Sequence, residues 1–311
     1  MSDELAREYN HYAEQAAELF LAGRPEQAHQ VADRAVAAGQ QLHKSTPENR
    51  AYANAYADAC RNRAEFATVL ILGGHEAPRR LAMLGARDAG RALDLYEPGD
   101  PRTAAVCLNL AELLTVLGQR DQARVQAETA LADYRRRQVD ATELARALDR
   151  YADVLSAGLP STPPEAVQAR LESVRLARPF TRPGTHLWTD RHNQENPWLS
   201  RPTLHRFGVT ARRLAADLPR PGAEAARCLF DAAEVELALI DIENLYAPAH
   251  PQRLRTAGAL LEELAQLLDD RNPDLARRCR TSGLPDDWLP DILALRPEVE
   301  AAFPTNGDQI G

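Results

Sequence analysis

Residues 111–130 read AELLTVLGQRDQARVQAETA, and the spacing within this stretch decides the fold. Leu113, Leu114 and Leu117 extend an apolar face that begins at Val106 and Leu110, at the three- and four-residue intervals of a helix. Gly118 then supplies the backbone freedom that ends a helix. Ala123, Ala127 and Ala130 follow on one side of a second helix, where the absence of bulk lets two helix backbones approach. A short glycine turn between two such helices makes an antiparallel hairpin.

The gaps recur. Ala111-x6-Gly118-x4-Ala123-x3-Ala127-x2-Ala130 is matched residue for residue in spacing by Ala16-x6-Gly23-x4-Ala28-x3-Ala32-x2-Ala35. A single hairpin cannot bury its apolar stripe, whereas stacked hairpins can, so a repeat array is expected. Cap signals place helices near 4–22, 25–41, 48–72, 77–96, 101–117, 121–137, 141–157 and 164–177. The starts rest on Thr46-Pro47 and Asp100-Pro101, and on the capping boxes Asp140–Glu143 and Thr162–Glu165; glycines 23, 39, 74, 118 and 158 mark stops.

Residues 9–41 and 101–137 resemble tetratricopeptide repeats. The other two hairpins depart from that pattern: the third helix is long, Arg79 stands where a small residue belongs, and 159–164 is an insertion. The resemblance implies an all-α fold, a right-handed superhelix of antiparallel hairpins over residues 1–178. A Pro- and Trp-rich connection over 179–202, a C-terminal helical bundle over 203–303 and a flexible tail over 304–311 complete the expected organisation. In the bundle, helices are expected near 203–217, 222–247, 251–270, 273–282 (opened by Asn272-Pro273) and 286–295, with 225–245 running through the centre.

Composition narrows the function. Acidic residues outnumber basic ones 45 to 37, for a net charge of −8, so broad phosphate binding is disfavoured and no nucleic-acid partner is expected. Lys44 is the only lysine, an arginine bias that reads as the imprint of a GC-rich genome. The polar start MSDELAREYNHYAEQ lacks a leader pattern and no apolar run spans a bilayer, so a cytoplasmic protein without a membrane partner is expected. Cys60, Cys107, Cys228 and Cys279 are far apart, as buried thiols rather than metal ligands, and no cofactor is predicted. Phosphate-loop, dinucleotide, zinc-protease and hydrolase motifs are absent.

Family resemblance also implies that the first helix of each hairpin lines a concave groove for a protein or peptide partner. The groove candidates are Asn10, Asn54, Asp58, Arg61, Asn109, Glu112, Thr115, Arg146 and Arg150, since Asn bonds main-chain groups and Arg clamps carboxylates. Ala13 and Ala17 occupy positions where a chaperone-tail clamp needs polar groups, so that ligand is not predicted. In the 179–202 stretch, Trp188 and Trp198 read as docking anchors or partner contacts, with Asp190 and His192 beside them. Three readings stand: a non-catalytic adaptor, a sensor in which ligand binding repositions the C-terminal region, and an enzyme with a site at 178–210 built from His186, Asp190, His192, His205 and Arg206. The apolar stripe of the first helix (Leu5, Tyr9, Tyr12, Ala16, Leu19) offers a face for a homodimer.

Overall fold

The computed structural model describes residues 2–181, 200–220, 222–244, 251–281 and 288–303, and all regular structure among them is helical. Trp188, Asp190, His192 and Trp198, together with His186, lie outside the described residues. The helices are α1 Ser2–Leu21, α2 Pro25–Ser45, α3 Arg50–Leu72, α4 Pro78–Leu95, α5 Thr103–Val116, α6 Arg120–Arg137, α7 Ala141–Ser156 and α8 Pro164–Thr181. They continue as α9 Ser200–Asp217, α10 Ala223–Asn244, α11 Pro251–Leu268, α12 Pro273–Thr281 and α13 Trp288–Ala302. No helix of the described residues is long and apolar enough to cross a membrane.

Most termini fall where the sequence signals place them. Asp140 Oδ1 accepts from the Thr142 and Glu143 amides, each at 2.9 Å, and Asn272 Oδ1 accepts from Leu275 N at 3.1 Å. Glycines 23, 74, 118 and 158 all take positive φ between helices. Four signals need correction. α2 runs on to Ser45, and α3 is capped by Asn49, which accepts from Ala51 N at 2.9 Å, so Thr46-Pro47 lies in the turn between them. Gly39 does not stop α2: a Cβ there would stand 3.0 Å from Tyr56 Cα, so its smallness serves the approach of α3. Asp100 organises the turn before α5 by accepting from Arg102 N at 2.9 Å, and the helix begins at Thr103. Thr162 spends its hydroxyl on Asp217 at 2.9 Å rather than on capping α8.

The chain divides into two compact units, residues 1–139 with 150–160, and 140–149 with 161–311, so the division falls within α7. In the first unit consecutive helices from α1 to α6 pack pairwise, and α3 also meets α5, so the first helices of the second and third hairpins are neighbours. The alanines singled out by spacing, Ala16, Ala28, Ala32, Ala35, Ala111, Ala123, Ala127 and Ala130, are all buried. The intervening hairpin follows the same rule with a longer turn. Ala67-x6-Gly74-x7-Ala82-x3-Ala86-x2-Ala89 has seven residues after the glycine instead of four, and Ala67, Ala82 and Ala89 are fully buried. Arg79 is therefore not a misplaced small residue. It lies exposed in the first turn of α4. Within the α1 stripe, Tyr9 and Tyr12 pack on the core formed by α2 to α5, and Leu19 packs around Ala16.

The second unit is built around α10, which packs against α9, α11 and α13. Leu204, Leu214, Leu229, Phe230, Leu237, Leu261 and Phe303 are fully buried in its core, which Val167, Leu171 and Ala177 of α8 also join.

Candidate functional site

Residues three, four or seven apart on a helix share a side, so Asn54, Asp58, Arg61 and Glu65 form one stripe on α3, and Asn109 and Glu112 another on α5. The first unit arranges these stripes into two polar clusters.

Around Asp58, Arg102 Nη1 donates to Oδ2 at 2.8 Å and the Tyr96 hydroxyl donates to Oδ1 at 2.6 Å, with Arg61 Nη1 at 3.6 Å. Arg102 also grips Asp100 through Nε and Nη2, at 2.9 and 2.6 Å, and its guanidinium lies 4.4 Å from the Tyr96 ring centroid. The bonded Arg102 holds the Asp100 carboxyl below its ordinary value. Tyr9 of α1 faces the same group: burial pushes its phenol up to about 12, Asp58 adds to the shift, and Arg61 and Arg102 oppose it.

The second cluster joins α5 to α7. Arg150 holds Glu112 bidentately, Nε to Oε1 and Nη2 to Oε2 both at 2.7 Å, and Nη2 also donates to Asn109 Oδ1 at 2.6 Å. Asn109 is only 5% exposed. Burial works against the charge of Arg150, and Glu112, joined by Tyr134 and Glu65, more than offsets it, so the guanidinium is held more firmly protonated than usual. Glu65 contributes to the same field and is itself exposed.

Of the residues expected to meet a ligand, Asp58 with Arg61 and Asn109 with Glu112 and Arg150 are brought together. Asp58 bonds first to Tyr96 and Arg102, and Arg150 to Asn109 and Glu112, which makes these contacts clips between successive hairpins as well as a surface. Thr115 turns back on its own helix, donating to Ala111 O at 2.8 Å. Asn10 is exposed on α1, Arg146 is exposed on the part of α7 that belongs to the second unit, and the Asn54 amide oxygen is buried without a hydrogen-bond partner. Tyr9, Tyr96 and Arg102 join the face without any local signal, because their roles depend on residues from another helix, while Asn62 accepts from its neighbour Arg61. In the second unit, Arg206 is committed to Asp149, Nε to Oδ2 at 2.5 Å, and Thr210 donates to the other Asp149 oxygen at 2.7 Å.

All four cysteines are buried and unbridged, and burial pushes the Cys107 thiol up to about 11. Among the described residues no group of three or more His, Cys, Asp or Glu side chains is arranged to hold a metal.

No protein-family model matches the chain, and no curated protein matches it. Among solved structures, the chain is similar to BtubC (BKLC) from P. vanneervenii, with 15% identity over 80% of this chain and 92% of that one and a TM-score of 0.37. It is also similar to Nro1, the hypoxic regulator of sterol synthesis that is a nuclear import adaptor, with 13% identity over 100% of this chain and 92% of that one and a TM-score of 0.47.

Proposed function

We propose that this protein is an adaptor that binds a peptide or helix of a partner protein on the face formed by its first helices, α1, α3, α5 and the second half of α7. The observation that carries the reading is the alignment of polar side chains from successive hairpins, from Tyr9 through Asp58, Arg61 and Arg102 to Asn109, Glu112 and Arg150. Side chains already fixed by mutual bonds lose little entropy when a ligand arrives, which favours binding at modest contact area. Beside these clips Glu65 is exposed and Arg61 and Asn62, bonded to each other, are half-buried; together they supply both charges and an amide for a main chain to meet. The spacing that resembles tetratricopeptide repeats supports the same face, since in that family first helices line the concave surface.

The test is selection from a random peptide display library on the full-length protein. Enriched peptides should bind wild type and weaken about tenfold on Arg61→Glu/Glu65→Arg, a swap that preserves net charge. Enriched peptides that ignore this swap, or a library that yields none, would remove the reading. Asn109→Ala is a weaker probe, because it loosens the hairpin clip as well as the surface.

A further inference from the structure

The second helices carry a surface that the adaptor face does not use. α4 exposes Arg79, Arg80, Arg87 and Arg91, and among the described residues none of the four makes a hydrogen bond or ion pair. The chain is acidic overall, at −8, so four unpaired cations on one helix are a local reversal. Arg79 and Arg80 sit in the first turn, which contains no acid, where the positive end of the helix dipole repels them. Between the arginines stand Met83 and Leu84, 61% and 40% exposed.

Along the same helix a groove of about 440 Å³ opens between α4 and α6. Leu110 and Leu114 of α5 form its floor, Ala86 and Val125 its walls, and Gln122 and Gln126 a polar rim, with Asp121 at one end. Val125 is 56% exposed. Arg79, Met83, Ala86 and Gly90 follow at three- and four-residue steps and therefore share the groove side of α4. Gly90 is unexplained by the fold: it lies mid-helix, and a Cβ there would meet nothing within 4 Å. Glycine weakens a helix interior relative to alanine, so its presence suits the close approach of another backbone.

We propose that this groove binds an acidic amphipathic helix of a partner protein. Its apolar side chains enter against Leu110, Leu114 and Val125, its backbone passes over Gly90, and its carboxylates meet Arg79 and Arg87, with Arg80 and Arg91 extending the field. A helix laid in a groove between two helices is an established mode of recognition. The apolar floor argues for a peptide over a phosphate backbone, which has no group to place there, and the recess argues for a peptide over a flat lipid surface.

The experiment measures fluorescence anisotropy of a labelled synthetic helix of about 15 residues, with Leu at every third or fourth position and Glu elsewhere, against full-length protein. A Lys-for-Glu counterpart, a short DNA duplex and anionic phospholipid vesicles are the comparison probes. The acidic helix alone should bind, and Arg79→Glu/Arg87→Glu and Val125→Asp should each weaken it about tenfold or more. Gly90→Leu should keep or raise the melting temperature yet weaken binding by a similar factor, and Arg79→Glu alone should raise the melting temperature while lowering affinity. Arg61→Glu/Glu65→Arg should leave this binding unchanged, which separates it from the adaptor face. The proposal is overturned by no binding, by equal binding of the lysine helix, or by acidic-helix binding indifferent to Gly90→Leu and Val125→Asp. DNA or vesicle binding that needs the arginines and ignores those two variants also overturns it.

Discussion

The two units solve the same packing problem with different balances of material. The first is held largely by alanine: helix pairs meet at Ala28, Ala32, Ala82, Ala89, Ala123 and Ala127, and polar side chains, with Asp88 and Asn109 buried among them, clip neighbouring helices. The second packs Leu and Phe around α10, yet that helix also buries Asp231 and Glu234, each 1% exposed. Asp231 is shared, accepting from Arg178 Nε at 2.7 Å and Arg296 Nη2 at 3.0 Å, while Glu234 pairs with Arg296 and Glu224 with Arg178. Repeated small-residue contacts distribute stability evenly over neighbouring hairpins. A buried charge group concentrates it on a few residues, because each charge is tolerable only while its partners are present.

That contrast sets the size of the effects expected from mutation. Asp231→Ala leaves two buried guanidiniums under-compensated and should cost about 3 to 5 kcal/mol, with hydrogen exchange rising across α8, α10 and α13 and not across α1–α6. A loss under about 1 kcal/mol would show that the buried pairs are dispensable. Ala127→Leu, an overpacking change in the first unit, should cost up to about 3 kcal/mol in denaturant melts, confined to α5 and α6; tolerance would mean that the alanine contacts are loose. Arg150→Ala should cost about 2 kcal/mol. A double-mutant cycle with Glu112→Ala should be strongly non-additive, since the two make one bidentate bond.

The smallest expected effect is a pH response of the first unit. Burial holds the His29 imidazole below its ordinary 6.5, while Asp33 and Asp88 pull the other way. The unfolded chain then takes up the proton first, so the stabilising contribution is full above pH 6.5 and declines as the pH falls below it. Thermal melts across this range should show the decline in wild type and a smaller one in His29→Gln. An NMR titration that places His29 above its ordinary value would reverse the sign.

Much of the first unit was legible because its determinants are local. The gaps around Gly23 and Gly118 place helices and turns, and Asp140 and Asn272 cap the amides of residues two or three positions ahead. The failures are equally physical. Gly39 reads as a stop but serves the approach to Tyr56, a residue of another helix. In the second hairpin the longer turn after Gly74 moves the alanines to 82, 86 and 89, which a fixed template overlooks.

The candidate face was legible only in part. Asn109, Glu112 and Arg150 stand at polar positions on first helices, and they do converge, but as each other's partners. Tyr96 and Arg102 became part of the Asp58 cluster through contacts that no spacing announces. No spacing announces the groove beside α4, because Val125 and Gly90 gain their meaning only from the helices placed around them.

By itself the sequence determined the helices, their order and the alanine seams of the first unit, because periodicity, caps and turn glycines act within a few residues of one another. Only the tertiary structure decided which charges pair, which polar side chains remain available, and where an apolar recess stays open. Those outcomes depend on groups tens of residues apart, and on whether burial leaves each with a partner.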